Sequence, residues 1–183
     1  MTTIYFVRHA HSHYTPDEYN RPLSEQGWIK AQKLVNVFEG IDIQAIYASC
    51  YQRAVETVQP IAASKKLAIT QEKALNERIL AKSSVPDFAS AIAKVWAEPT
   101  FFFDGGESNI MAQQRVVPVL EELLMRHQNE KIIIGIHGNI LTLLLQHFNP
   151  KYDIDFWQSL KMPDIVVAKF KNKQLLSTTR LIK

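Results

Sequence analysis

Cysteine is almost absent from this chain. Cys50 stands alone, which excludes an intramolecular disulfide framework and suits a reducing compartment. Glycine is scarce as well, at six residues, too few for a flexible or fibrous chain. No apolar run approaches the roughly 20 residues that span a bilayer. The N-terminus lacks the basic segment, apolar segment and cleavage site of a secretory signal. An excess of one charge is also missing: 21 lysines and arginines face 18 aspartates and glutamates, a formal charge of +3. The slightly basic pI near 8.9 is too small a bias to point to nucleic acid. Lys169, Lys171 and Lys173 alternate, as on a solvated strand edge, rather than forming a basic run. These absences leave a cytoplasmic, soluble protein with neither a nucleic-acid nor a membrane partner as the expectation.

What is present is ordinary for a globular protein. Hydrophobic residues make up 46% of 183 residues, enough for one domain, 1–183, with a substantial core. Strand and helix patterns alternate along it. Thr3 to Val7 is a β-prone, nearly continuous apolar run, as in a strand covered on both faces. Residues 11–23 are polar, aromatic and broken by two prolines, hence a loop. Ser24 can cap a helix whose apolar positions Trp28, Ala31, Leu34, Val35 and Phe38 recur at helical spacing, ended by Gly40. Ile43 to Ala48 reads as a second strand. Ser49 and Gln52 then make a capping box for a helix with Ala54, Val58, Ile61 and Ala62 inward, in which Pro60 is expected to bend or tighten the end.

Further on, Leu67 to Thr70 is a short strand. Ser84 and Pro86 open a helix that Pro99 stops, and residues 101–108 form a loop before a long helix carrying Met111, Val117, Leu120, Leu123 and Leu124, with a kink at Pro118. Ile132-Ile133-Ile134 marks a central strand, and an apolar helix from Ile140 to Phe148 follows it. Ile165 to Phe170 and Gln174 to Leu181 flank Lys171-Asn172-Lys173 as a closing hairpin. The expected architecture is α/β: a three-layer sandwich with a mostly parallel central sheet, an antiparallel edge, and helices on both faces.

Chemistry concentrates where strands end. The first strand delivers Arg8 and His9 to its C-terminal end, where open α/β sheets place ligand sites. A permanent cation beside an imidazole there calls for an anion, and phosphate is the obvious one. Ser49-Cys50-Tyr51-Gln52-Arg53-Ala54-Val55-Glu56-Thr57 puts Arg53 in the first turn of a helix, where backbone N–H groups also favour an anion. The isoleucine strand runs into His137-Gly138-Asn139.

Arg8-His9-Ala10 resembles the Arg-His-Gly signature of the histidine phosphatase superfamily, the group that includes phosphoglycerate mutases and many small phosphatases. The segment from Ser49 to Thr57 is similar to that family's second motif, Leu75-Asn76-Glu77 to the neighbourhood of its proton donor, and His137-Gly138 to its last motif. Pro22 to Gly27 and Gly106-Glu107-Ser108 also resemble family elements, so the resemblance covers essentially the whole chain. It implies a metal-independent, cofactor-free phosphatase that hydrolyses small phosphorylated substrates through a phosphohistidine at His9. Arg8, Arg53 and His137 would cradle the phosphate with Ser12, and Glu77 would act as the acid. Two forked arginines suit such an anchor, since charge-assisted hydrogen bonds contribute roughly 1.5–3 kcal/mol each. Phosphoglycerate mutase-type transfer and a catalytically weak phosphate-binding domain are the alternatives. Ala10 in place of glycine, Thr15 in place of a common asparagine and Ile136 before the last histidine depart from the family pattern. Two further readings weigh less. His9, His11 and His13 could face a metal, but Arg8 and Arg53 would repel it. Cys50 lacks the arginine six residues on that a cysteine phosphatase needs; Glu56 stands there.

Overall fold

The computed structural model describes residues 1–181. Its elements are β1 (Thr2–Arg8), α1 (Glu25–Val37), β2 (Ala45–Ala48), α2 (Gln52–Lys65), β3 (Ile69–Gln71), α3 (Phe88–Ala97), α4 (Asn109–Arg126), β4 (Lys131–Ile136), α5 (Gly138–Phe148), α6 (Ile154–Ser159), β5 (Asp164–Lys171) and β6 (Gln174–Arg180), with a 3₁₀ turn at Lys73–Leu75. The strands form one sheet in the order β3-β2-β4-β1-β5-β6. β1, β2, β3 and β4 pair in parallel, whereas β5 runs antiparallel to β1 and β6 antiparallel to β5.

β1 and β4 lie inside the sheet because both of their faces are apolar. Ile4, Phe6, Ile132 and Ile134 point into one core with Leu120, Leu124, Leu141 and Leu144 of α4 and α5. Tyr5, Val7 and Ile133 point into the other, with Leu34 of α1, Phe38 just beyond it, and Val58 and Ile61 of α2. The sheet is therefore covered on both sides, as its unbroken apolar runs require. Among the described residues no helix is long and apolar enough to cross a membrane.

Several boundaries differ from the sequence reading, each for a local reason. The Ser49–Gln52 capping box does not form: α2 begins at Gln52 with Tyr51 as an N-cap that makes no side-chain bond. Helix α3 begins later than Ser84, where Asp87 accepts from the Ser90 N–H. α1 ends at Val37, and Gly40 lies beyond it in a positive-φ turn. Lys169 and Lys171 lie on β5, which β1 and β6 flank, so their solvated positions are exposed points of an interior strand rather than a sheet edge. The short α6 has no buried residue and so left no apolar period to read.

Ile134 is fully buried in the central strand. Ile134→Ala is expected to lower unfolding free energy by about 2–5 kcal/mol, measured as a shifted urea midpoint at unchanged m-value.

Candidate active site

Strand register assembles the site. Arg8 of β1 lies opposite Ile136 of β4, and Ala48 of β2 lies opposite Gly135. The ladder continues one step past the strands: the His9 N–H donates to Ile136 O at 3.0 Å and the Ser49 N–H to Gly135 O at 2.9 Å. Three chain segments, far apart in sequence, so leave the sheet side by side.

His9 Nδ1 lies 2.7 Å from the Ala10 carbonyl oxygen. That oxygen can only accept, so Nδ1 carries the ring hydrogen and Nε2 is the bare, nucleophilic nitrogen. Ala10 is fully buried and not among the positive-φ residues, so alanine is tolerated there in place of glycine. The Ala10 N–H donates to Thr57 Oγ1 at 2.9 Å, and the Thr57 hydroxyl donates to Arg53 O at 2.7 Å. Thr57 thus ties the loop after β1 to the first turns of α2.

Arg53 is only 2% exposed. Its Nε points at His9 Nε2 from 3.4 Å, and its Cζ lies 4.9 Å from the centre of the Tyr51 ring. Its Nη1 donates to the Glu18 carbonyl at 2.7 Å, and Nη2 meets the Glu18 carboxylate at 3.1 Å. That carboxylate also bonds Arg21 at 3.0 Å through each of its oxygens. Arg8 is held by Nη1 donating to Leu160 O at 2.6 Å. A Cβ on Gly138 would come 3.0 Å from both the Arg8 Cζ and the Trp157 Nε1, so a side chain there would push on Arg8.

His137 is the N-cap of α5. Its ring centre lies 5.1 Å from that of His9 and 5.1 Å from that of Tyr51. Glu77 is not a solvated surface residue. Its Oε1 accepts from the N–H groups of Arg78 at 2.9 Å and Ile140 at 2.8 Å, and its Oε2 accepts from the Asn139 N–H at 3.0 Å. A carboxylate complements the positive end of α5 there. Ser12 is half-buried and bridges through its backbone to Leu23. Ser108 caps α4, and Glu107 pairs with Arg115 through two contacts of 2.7 Å.

Burial sets the protonation of the pocket. It pushes His9 down to about 3, with the Arg53 cation as the second cause. It holds His137 well below the ordinary histidine value, with His9 and the arginines adding to the effect. Burial also lowers Arg8 and Arg53, yet guanidinium groups stay protonated. The ligand-free pocket therefore carries its positive charge on arginines alone. Among the described residues no three histidine, cysteine, aspartate or glutamate side chains cluster as metal ligands.

The model of the histidine phosphatase superfamily (branch 1) matches residues 4–174. The chain belongs to that superfamily. Phosphoserine phosphatase 1 of Hydrogenobacter thermophilus is 28% identical over 150 residues, covering 75% of this chain and 71% of its own. YhfR of Bacillus stearothermophilus superposes with a TM-score of 0.78 at 23% identity, over 96% of this chain and 95% of its own. Phosphoserine phosphatase of Entamoeba histolytica, solved with 3-phosphoglyceric acid, gives 0.81 at 17% identity over 98% and 96%. The α/β fold with its mixed six-stranded sheet is that of the superfamily, and the protein is a phosphatase of this histidine-based class.

The structure brings together Arg8, His9, Arg53, His137 and Glu77. Sequence reasoning missed Glu18 and Arg21, which lay in a loop without periodicity, and gave Ser49 a capping role instead of its contact with His137. Thr57 was visible as a motif position but had no assigned task.

Glu18 occupies one edge of the guanidinium of Arg53, the residue expected from the sequence to bind phosphate. This carboxylate is half exposed, so its ion pairs are weak. Glu18→Gln is expected to tighten inorganic phosphate binding about 2- to 5-fold by calorimetry. The low histidine values have a thermodynamic counterpart. Between about pH 6.5 and about 3 the unfolded chain binds protons that folded His9 refuses, so stability falls as pH drops through that window. The thermal midpoint of the wild type is expected to fall between pH 7 and 5, and His9→Asn to reduce that fall.

Proposed function

We propose that the protein is a metal-independent phosphomonoesterase that forms a phosphohistidine at His9. The observation that carries this reading is the His9 ring. Its Nδ1 is fixed on the Ala10 carbonyl, its Nε2 is bare, and Arg53 lies beside that nitrogen. Nε2 attacks phosphorus in line with the ester oxygen; the N–P bond forms as the P–O bond breaks. Arg8, Arg53 and His137 hold the phosphoryl oxygens while charge builds on them, and Ser12 contributes its hydroxyl.

Glu77 is the acid for the leaving oxygen. Its Oε2 accepts only one bond, so it retains a position for a proton. After the alcohol departs, the same carboxylate takes a proton from water as that water attacks the phosphohistidine. Glu18 must yield its place on Arg53 for the phosphate to enter fully.

Two similar proteins are phosphoserine phosphatases, and one of these was solved with 3-phosphoglyceric acid. Small phosphorylated carboxylic acids are therefore the substrate class to assay first. The single cysteine supports a reducing, cytoplasmic setting.

Turnover of p-nitrophenyl phosphate is expected to survive excess chelator and to disappear in His9→Ala; chelator-sensitive turnover would contradict the scheme. Glu77→Gln separates the acid role. On phosphoserine, whose alkoxide needs a proton, kcat is expected to fall about 10²- to 10⁴-fold. On p-nitrophenyl phosphate, whose leaving group is a weak base, the loss is expected to be much smaller.

A further inference from the structure

His137 is fully buried, and its Nε2 lies 2.7 Å from Ser49 Oγ. Ser49 is fully buried too, so its single hydrogen and two lone pairs can be assigned completely. One lone pair accepts from the Tyr51 N–H at 3.1 Å. Two neighbours remain, the His137 Nε2 and the Asn76 Oδ1 at 3.1 Å. The Cys50 N–H donates to that same Asn76 atom at 2.8 Å, which identifies it as the carbonyl oxygen of the amide. An oxygen so placed can only accept, so the Ser49 hydroxyl hydrogen belongs to Asn76. The remaining lone pair of Ser49 then faces Nε2, and Nε2 must bring the hydrogen. The reverse assignment would set two oxygen lone pairs against each other in a dry site, which is costly. His137 Nδ1 is buried and has no hydrogen-bond partner in the protein.

We propose that Ser49 and Asn76 are positioning residues for His137, holding its ring with the proton on Nε2 and leaving Nδ1 as the atom that meets the substrate phosphate. Nδ1 then contributes only by gaining a proton, either with the dianion from solvent or from the P–OH of a monoanion. In both cases the imidazolium keeps its Nε2–H on Ser49, and nothing else in the chain must reorient. The groups that oppose this proton are His9 and Arg8 at the end of β1, Arg53 from α2 and Arg21 from the loop. The Tyr51 ring packs edge-on against His137. The incoming phosphate offsets the three arginines, so His137 charges when the ligand is present and stays neutral when it is absent. Asn76 immediately precedes Glu77, so one short segment would set both the protonation of His137 and the place of the acid. This inference rests on the reading of the site as a phosphatase centre, but its first test does not need turnover.

The tautomer of His137 in ligand-free, ¹⁵N-labelled wild type at pH 7.5 is measurable by long-range proton–nitrogen correlation. A proton on Nε2 is the expected result; a proton on Nδ1 overturns the proposal, whatever the protein hydrolyses. Kinetics give the second arm. Ser49→Ala is expected to lower kcat/KM for p-nitrophenyl phosphate on the order of tenfold, and Ser49→Thr to recover most of that loss. In a His137→Ala background Ser49→Ala is expected to cost almost nothing further, because the partner is gone. An equal loss in both backgrounds would make Ser49 a merely structural residue. Should Ser49→Ala fail to fold, the wild-type tautomer still decides.

Discussion

The parallel pairing of β1, β4 and β2 is the constraint on which the rest depends. Its register sends His9, Ser49 and His137 out of the sheet as neighbours. Each then meets the first turn of a helix packed on the sheet: α2 presents Arg53 to His9, and α5 presents its N-terminus to Glu77. Slipping the β1–β4 register by one residue would turn Phe6 and Ile134 to the opposite face and separate the two imidazoles together. The apolar alternation that fills both cores therefore also fixes the geometry of the polar site.

That site concentrates positive charge in a nearly dry place. The guanidiniums of Arg8 and Arg53 would repel two imidazolium rings, and the ligand-free protein avoids this by keeping both rings neutral. The arginine donors are meanwhile engaged by groups of the protein itself: Leu160 O for Arg8, and the carbonyl and carboxylate of Glu18 for Arg53. Backbone oxygens and one half-exposed carboxylate hold the cradle open in shape while leaving it displaceable. Arrangement of this kind is preorganisation, in which the cost of orienting donors is met during folding rather than during the reaction.

Much of this was legible in the chain because the signals were strong ones. Three consecutive isoleucines and the apolar run before Arg8 each carry a physical requirement, and the Ser-to-Thr spacing around Arg53 was readable as a resemblance to a family motif. Glu77 was readable only as a resemblance, since nothing in Leu-Asn-Glu-Arg announces that the carboxylate will accept three N–H groups, two of them from a helix 62 and 63 residues on. Glu18 and Arg21 were illegible because their roles come from how loop 11–23 folds over α2, and an irregular loop has no period. Ser49 was misread for an instructive reason. A serine before a helix normally caps it, but here the Ser49 oxygen faces the buried His137 Nε2 at 2.7 Å and its hydroxyl donates to Asn76 Oδ1 at 3.1 Å, so tertiary contact overrode the local preference.

The central claim is that the His9 imidazole itself bonds to phosphorus. It is tested most directly by mixing the enzyme with a phosphate monoester, quenching within milliseconds at high pH, where phosphoramidates persist, and locating the phosphoryl group by peptide mass spectrometry. The account predicts phosphate on the peptide containing His9, on that histidine. Phosphate on another residue, or steady turnover with no phosphorylated peptide at any quench time, would contradict it.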